Sequence, residues 1–366
     1  MTRVVLAPDS FKGTITAADA AAALADGWAT VEPDAEFVHR PMADGGEGTV
    51  AAFAAAVPGA QRMPVTVDGP AGAPIDTAWL LLPADAETPG GTAVVDLAST
   101  SGIELLDELR PADADTTGFG QAIAAALDHG VSRVIVGIGS SASTDGGTGM
   151  LTALGARFLD ATGAPVARGA RGLLDLASVD LDGLRTAPEV RVLTDVTNPL
   201  VGPRGAAAVF GPQKGLLPDD IERVDAALAR LADLLGLDSS LPGSGAAGGT
   251  GAALVAWGAV LAPGAAEVAD LVGLESAIRG ADAVVTGEGS YDGQSGDGKV
   301  PSFIAGLAAS AGATALLAAG RITDDSDTTL FAASASLTAL AGSSAAALAE
   351  PARWLREAGA LLARSR

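Results

Sequence analysis

Short β-branched apolar runs alternate along this chain with longer alanine- and leucine-rich runs. The short runs predict buried strands, and apolar residues at three- and four-residue spacing predict helices that cover a sheet. Regular alternation of the two is typical of an α/β protein with a largely parallel sheet. The predicted strands cover residues 4–7, 36–39, 93–97, 133–137, 191–194, 283–286 and 314–318.

Helix signals support this interpretation. Thr16 and Asp19 form a capping-box-like pair that opens a predicted helix over residues 16–27. Further helices are predicted from Thr116 or Thr117 to residue 129, and after residues 218–220 with apolar positions from Ile221 to Leu235, where apolar side chains recur at every third or fourth position.

The texture changes over residues 63–97, where Gly and Pro break short Thr, Val, Trp and Leu runs. This pattern is typical of antiparallel hairpins. Regular β-α-β alternation returns from about residue 265. We therefore predict an α/β fold of two domains. One is a discontinuous Rossmann-like parallel-sheet domain over residues 1–62 and 265–366, and the other is an inserted α/β domain with a mixed sheet over residues 63–264.

Composition excludes several classes of function. The chain has 366 residues, of which 48% are hydrophobic and 18% charged, as in packed globular proteins. A net charge of −22 argues against general electrostatic binding to nucleic acid or anionic lipid. No apolar run reaches about 18 residues without Gly, Pro or a charge, so we expect no membrane span. Without cysteine or a leader-like N-terminus, a cytoplasmic location is expected, whereas the oligomeric state is not indicated.

Lysine is rare and occurs in one kind of setting. Among 22 lysines and arginines, only Lys12, Lys214 and Lys299 are lysine, and each lies in a glycine-flanked loop. An ammonium group is a compact charge that suits phosphate or carboxylate oxygens, and neighbouring glycine lets the backbone approach a ligand. We predict that Lys214 and Lys299 are functional cations that arginine cannot replace.

Carboxylates recur in glycine-rich loops that follow predicted strands. These acids are Asp44 and Glu47, Asp145, and Glu288 with Asp292. Ligands of open α/β sheets gather at the carboxyl ends of the strands, where acids can ligate Mg²⁺ or orient a substrate hydroxyl. On this ground we expect Lys12, Asp44 and Asp195 to line one cleft.

The residues considered so far leave two functions open, a hydroxy-acid oxidoreductase and a carrier of small anions. Residues 137–142 follow a strand and match the G-x-G-x-x-A form of a dinucleotide-binding turn, which would suit an NAD(P)-dependent hydroxy-acid oxidoreductase. A non-catalytic carrier of small anions would explain the lysine loops but not the clustered acids. Residues 293–299 match part of a P-loop, but Val300 replaces the hydroxyl residue that such a loop needs.

Seven segments, in the same order along the chain, closely resemble the bacterial type 1 glycerate kinases. They are APDSFKG (residues 7–13), MADGGEGT (42–49), DGGTGM (145–150), DVTNPL (195–200), VFGPQKG (209–215), GAAGG (245–249) and TGEG (286–289). The resemblance spans residues 4–301. One departure is Ser140, which stands where such kinases have glycine and makes that loop stiffer.

The resemblance implies a kinase that transfers the γ-phosphoryl group of ATP to a hydroxyl of D-glycerate, using Mg²⁺ and giving mostly 2-phosphoglycerate. It implies catalytic roles for Lys12, Asp195, Lys214 and Asp292, and substrate binding by Ser10, Asp44, Gly45, Gly46, Glu47, Ser141 and Asn198. The nucleotide would be bound by Gly146, Gly147, Gly248, Gly249, Gly287, Glu288 and Lys299, and the metal by Asp195 and Glu288.

Overall fold

A computed structural model describes residues 1–11, 13–46, 48–293 and 300–366. Their backbone forms two compact units. Unit 1 comprises Met1–Asp44, Ala51–Pro58 and Pro263–Arg366, and unit 2 comprises Gly45–Val50 and Gly59–Ala262. The predicted domain boundaries, after residue 62 and before residue 265, stay a prediction.

The secondary structure alternates strands and helices through most of the chain. The strands are β1 (Arg3–Pro8), β2 (Glu36–His39), β3 (Gln61–Asp68), β4 (Pro74–Leu82), β5 (Thr92–Asp96), β6 (Arg133–Gly137), β7 (Arg157–Leu159), β8 (Ser178–Asp180), β9 (Glu189–Leu193), β10 (Val260–Ala262), β11 (Ala283–Tyr291), β12 (Thr314–Ile322) and β13 (Ala333–Ser336). The helices are α1 (Ala17–Ala29), α2 (Thr49–Ala56), α3 (Ala98–Ser101), α4 (Thr117–His129), α5 (Thr148–Ala153), α6 (Gly169–Asp175), α7 (Pro218–Leu235), α8 (Thr250–Ala256), α9 (Gly264–Leu271), α10 (Leu274–Ile278), α11 (Val300–Ala311), α12 (Leu337–Ala341), α13 (Ser344–Ala349) and α14 (Pro351–Ser365). Short 3₁₀ turns lie at Ile103–Leu105, Pro212–Lys214 and Ala246–Gly249, and a π-helical turn lies at Ala206–Phe210.

Unit 1 is built on a five-stranded sheet in the order β13-β12-β11-β1-β2, with parallel neighbours throughout. Val4, Val5 and Leu6 of β1 are completely buried, as expected for a parallel sheet covered on both faces. From β1 the chain moves outward to β2 on one side, and from β11 outward to β12 and β13 on the other. The order therefore reverses between β1 and β11, and open α/β sheets bind ligands at such a switch point.

Helix α1 covers this sheet. A side-chain cap fixes where the helix begins, and its apolar side chains pack on the sheet. The Thr16 Oγ1 accepts the Asp19 N–H at 3.1 Å, which caps the first turn as the sequence predicts. Leu24 and Trp28 share a buried cluster with alternate residues of β1, and α14 adds Leu355 to the same cluster.

Unit 2 contains a six-stranded mixed sheet in the order β10-β9-β6-β5-β4-β3. Strands β10, β9, β6 and β5 are parallel, whereas β4 and β3 continue the sheet as antiparallel strands. The hairpins predicted over residues 63–97 are thereby confirmed. One buried core joins this sheet to helices α4, α5, α7 and α8, through Phe119, Met150, Leu228 and Leu254 among others.

The predicted fold class is confirmed, and the differences concern the ends of two strands and helices that were not predicted. Strands β11 and β12 continue to Tyr291 and Ile322, although the sequence predicts ends at residues 286 and 318. The two extensions pair with each other in register, so that ladder hydrogen bonds override the turn preference of the glycines. Helix α14 lies outside the predicted helices. Within the part of the chain that the structure describes, no helix is long and apolar enough to cross a membrane.

Candidate active site

Acidic side chains meet at the carboxyl edge of the sheet of unit 1. A cavity of about 470 Å³ lies there, and its lining includes Asp9, Asp44, Glu288 and Asp292. The Asp9 N–H donates to the Gly287 carbonyl at 2.8 Å, so the ends of β1 and β11 lie side by side. This cavity, here called the acidic cavity, therefore lies at the switch point of the sheet.

Two other polar side chains in the acidic cavity have chemistry of interest. The buried Ser10 Oγ has no hydrogen-bond partner among the described residues. A buried hydroxyl without a partner costs free energy, so a ligand that bonds to it would be stabilised there. Arg321 is the sole cation among the described residues of the lining, and its Nη2 donates to the Ser290 Oγ at 3.3 Å.

Unit 2 has a cavity of its own at the carboxyl edge of its parallel strands. Its volume is about 330 Å³. Two loops, three 3₁₀ turns and the π-helical turn supply its lining, which consists of Ile103, Ile138, Gly139, Ser140, Ser141, Thr194, Val196, Phe210, Gln213, Lys214, Ala246 and Ala247. We call it the lysine cavity, because Lys214 is the sole charged side chain among these residues.

Lys214 ends the 3₁₀ turn Pro212–Lys214 and is only 2% exposed. Its Nζ donates to the Ser141 Oγ and to the Ser143 carbonyl, each at 2.6 Å. Both acceptors are neutral, so the ammonium group has no contacting counter-charge among the described residues. Burial lowers the pKa of Lys214 from 10.5 to about 7, although the charge of Asp145 acts in the opposite direction.

The buried lysine predicts a pH-dependent stability. Between pH 7 and pH 10.5 Lys214 binds more protons in the unfolded chain than in the folded one, so the free energy of unfolding rises with pH. Each pKa unit corresponds to about 1.36 kcal/mol. We expect wild-type protein to gain a few kcal/mol relative to Lys214→Met as the pH rises from 7 to 10, measured by urea unfolding. Parallel curves for the two proteins would contradict the lowered pKa.

Backbone strain is concentrated at the lysine cavity. Among the described residues other than glycine, only Ser140 and Ala247 have positive φ, at 57° and 53°, and both line this cavity. The left-handed conformation costs such residues roughly 1–2 kcal/mol. At position 140 the glycine of the resembling kinases would avoid that cost. Strain that surrounding packing maintains is frequent at ligand-binding sites.

Asp145 organises the loop behind this cavity and is completely buried. Its two oxygens accept hydrogen bonds from the Thr116 N–H and Oγ1, the Ser143 Oγ, the Gly147 N–H and the Gly149 N–H. Burial, with a smaller effect of Asp115, raises the pKa of Asp145, whereas these hydrogen bonds favour its charged form. The carboxylate thus holds both ends of the glycine loop against helix α4.

The structure brings four predicted site residues of unit 1 together in the acidic cavity: Ser10, Asp44, Glu288 and Asp292. Gly287 directly precedes Glu288 in β11, and a Cβ added to Gly287 would lie 1.8 Å from the Ala318 carbonyl oxygen. Close strand packing therefore explains this glycine, and its nucleotide-binding role stays a prediction.

In unit 2, Ser141 and Lys214 line the lysine cavity. Asp195 is exposed and lies between two residues of that lining, Thr194 and Val196. The Asn198 amide donates to the Arg204 carbonyl at 2.8 Å, so this side chain braces its own loop.

The glycines predicted to bind nucleotide in unit 2 are buried. The Gly146 N–H donates to the Gly248 carbonyl at 3.0 Å, and an added Cβ on Gly248 would lie 2.1 Å from the Ser143 carbonyl oxygen. Gly147 and Gly249 lie where the same two loops, which carry Gly146 and Gly248, pack against each other. Neither pair belongs to the lining of the lysine cavity, and their nucleotide-binding role stays a prediction.

Gly45 and Gly46 approach the loop after β6. The Gly45 carbonyl accepts the Gly139 N–H at 3.1 Å, and an added Cβ on Gly139 would lie 2.5 Å from the Gly46 Cα. Lys12, Glu47 and Lys299 lie outside the described residues, as does most of the partial P-loop match. The predicted cleft of Lys12, Asp44 and Asp195 stays a prediction.

The residue type of Arg321 gives no signal in the sequence, because arginine is common in this chain. The available signal was position, since Arg321 lies near the carboxyl end of a parallel strand, β12. Phe210 and Gln213 were missed as well, although both lie in a segment of the family resemblance.

The dinucleotide-binding alternative is not supported by the local geometry. An added Cβ on Gly137 would lie 2.6 Å from the Gly45 carbonyl oxygen, so the backbone of another loop explains this glycine. The next helix after the turn, α5, begins only at Thr148. The turn therefore does not open a helix whose N-terminus could bind a pyrophosphate.

Two of the predicted acids have the chemistry of magnesium ligands. No three His, Cys, Asp or Glu side chains of the described ranges lie close enough to form a metal site. Magnesium commonly takes one or two carboxylates and completes its shell with water and substrate phosphates. Glu288 in the acidic cavity and the exposed Asp195 offer oxygen ligands of that type.

Comparison with known proteins agrees with the resemblance. A family model described as the glycerate kinase family matches residues 4–365. Glycerate 2-kinase of Escherichia coli K12 is 41% identical over 334 residues, which cover 88% of this chain and 86% of the relative. Glycerate kinase of Bacillus subtilis 168 is also 41% identical, over 336 residues that cover 89% of this chain and 86% of the relative.

A solved structure extends the agreement to the fold. The crystal structure of a Salmonella typhimurium LT2 protein described as a glycerate kinase 2 matches with a TM-score of 0.85 and 39% identity. The match covers 99% of this chain and 97% of that protein. The predicted family and enzyme class are confirmed: the chain belongs to the glycerate kinase family.

Proposed function

We propose that the protein phosphorylates D-glycerate with ATP and Mg²⁺, giving 2-phosphoglycerate. The observation that carries this proposal is the acidic cavity at the switch point of unit 1, with four carboxylates, a buried serine hydroxyl and one arginine. This set suits a small molecule that has both hydroxyl groups and a carboxylate. The names of the relatives, glycerate kinase and glycerate 2-kinase, support the acceptor and the position of transfer.

Each side chain has a role that follows from its chemistry. Phosphoryl transfer requires positioning and charge neutralisation more than covalent participation of the protein. Asp292 would orient the acceptor hydroxyl, and Ser10 and Asp44 would hydrogen-bond the other polar groups of the acid. Lys12 and Lys214 would neutralise anionic oxygens. Glu288 and Asp195 would each offer a carboxylate to Mg²⁺, which when bound neutralises charge on the transferred phosphoryl group.

Arg321 is expected to bind the carboxylate of the acid. Replacement by glutamine removes the charge-assisted hydrogen bonds of a guanidinium, each worth about 1.5–3 kcal/mol. Arg321→Gln should therefore raise KM for D-glycerate roughly tenfold or more, with KM for ATP unchanged. Glycerol, which lacks the carboxylate, should react equally slowly with both enzymes. An unchanged KM for D-glycerate would contradict this role.

The direct test of function is an assay of ADP release from ATP, Mg²⁺ and D-glycerate. Phosphorus NMR of the product distinguishes 2-phosphoglycerate from 3-phosphoglycerate. Reduction of NAD(P)⁺ by the same acid is the control for the oxidoreductase alternative. Absence of ADP release above the rate without acid would refute the proposal. The cytoplasmic location and the exclusion of nucleic-acid partners stay predictions.

A further inference from the structure

We propose that the lysine cavity of unit 2 is the nucleotide site, with Lys214 on the phosphate groups and the apolar wall around Phe210 on the base. The inference rests on the proposed function and deepens it, because it assigns one of the two substrates to a particular set of side chains. It also differs from the sequence prediction, which placed the nucleotide on glycines outside this lining (Gly146, Gly147, Gly248 and Gly249) and on Gly287, Glu288 and Lys299.

Charge is the first argument. Lys214 donates to two neutral oxygens, and no carboxylate belongs to the described lining of its cavity. The charged group acting on it is the buried Asp145, whose oxygens accept five hydrogen bonds from other groups. A buried ammonium without a contacting counter-charge favours an anionic ligand, which is consistent with the lowered pKa of Lys214.

The apolar part of the lining decides between the two anionic substrates. Ile103, Ile138, Val196 and Phe210 contribute aliphatic and aromatic surface to this cavity. D-glycerate is a small molecule with polar groups on each carbon and would leave that surface unused. A nucleotide has a planar base, and stacking of a base on an aromatic ring contributes about 1–3 kcal/mol.

Two further features fit a nucleotide. Gln213 offers an amide donor and acceptor, the pair that reads an adenine edge. The volume of about 330 Å³ lies within the usual range for small-molecule sites. The acidic cavity has the opposite character, since its carboxylates would repel a polyphosphate without metal but accept hydrogen bonds from hydroxyl groups.

Binding without turnover tests the assignment. Calorimetry at pH 7 without Mg²⁺ would use ATP, tripolyphosphate, adenosine and D-glycerate as probes. Lys214→Met should weaken ATP and tripolyphosphate at least tenfold and leave adenosine and D-glycerate within twofold. Phe210→Ala should weaken ATP and adenosine but leave tripolyphosphate within twofold. Arg321→Gln in the acidic cavity is the matched control, with ATP binding unchanged and D-glycerate binding weakened.

A second measurement uses the wild-type protein, in case a variant does not fold. With only three lysines in the chain, ¹³C labelling at Cε gives three lysine signals. Lys12→Arg and Lys299→Arg assign the two others. ATP should raise the titration midpoint of the Lys214 signal, and D-glycerate alone should leave it unchanged.

The opposite pattern would overturn the proposal. If Lys214→Met weakens D-glycerate but not ATP, or if D-glycerate alone raises the Lys214 midpoint, the lysine cavity binds the acid. If the binding of neither ATP nor D-glycerate changes in Lys214→Met, the lysine cavity binds neither substrate. Failure of the proposed function is separate, because it would show as ATP binding in the lysine cavity without ADP release from D-glycerate.

Discussion

Replacement of Asp292 by asparagine is expected to lower kcat by roughly 100-fold or more, with small changes in KM. Asp292 directly follows β11 and lines the acidic cavity at the carboxyl edge of the sheet. Asparagine keeps the size of the side chain but removes the charge that would orient and polarise the acceptor hydroxyl. An interaction that is stronger in the transition state than in the ground state appears in kcat, and 100-fold corresponds to about 2.7 kcal/mol.

Steady-state kinetics of Asp292→Asn with ATP and D-glycerate, alongside a thermal melt, measure this effect. Asp34→Asn makes the same chemical change at an exposed position of unit 1 outside the acidic-cavity lining, and should retain normal turnover. Near-normal kcat in Asp292→Asn, with unchanged dependence on Mg²⁺, would make Asp292 a residue of the turn and not of the reaction.

Asp145→Asn is expected to destabilise unit 2 by roughly 2–4 kcal/mol. Both carboxylate oxygens accept backbone N–H groups, from Thr116 and Gly149 on one side and from Gly147 on the other. An amide NH₂ on either side would face a backbone donor and leave it without a partner. Each buried donor without a partner costs about 1–3 kcal/mol.

A fall in the melting temperature of roughly 6–12 °C would correspond to about 3 kcal/mol in a unit of this size. Asp160→Asn is the matched control, because Asp160 also accepts hydrogen bonds from nearby donors but lies in an exposed turn of unit 2. Its effect should be small, since solvent can replace the lost hydrogen bonds. Equal melting temperatures for Asp145→Asn and wild type would show that the hydrogen-bonded loop does not need the carboxylate.

Much of the fold follows from local sequence. Hydrophobic periodicity predicts strand β6 and helix α4 nearly residue by residue, because strands and helices repeat their buried positions at different spacings. The capping pair of Thr16 and Asp19 marks the start of α1 for the same local reason. Extended strand ends were less predictable, since β11 and β12 continue only because each supplies hydrogen-bonding partners to the other.

The candidate site shows the same division. The scarcity of lysine indicated Lys214 from sequence alone, and the position of acids beside glycine indicated Glu288 and Asp292. Lysines and acids in loops after strands suit the binding of anions and metal ions. The sequence also carried the family resemblance that the comparisons confirm.

Only the tertiary structure decided which of these residues meet. Strand order in each sheet determines which loops share a carboxyl edge, and that order depends on contacts between segments far apart in sequence. The tertiary structure places Arg321 beside Ser290 in the acidic cavity. It also buries Lys214 against Ser141, in the lysine cavity whose wall includes the strained Ser140. Burial then determines the chemistry of Lys214, because the cost of holding a charge away from water depends on the folded surroundings and not on the residue type.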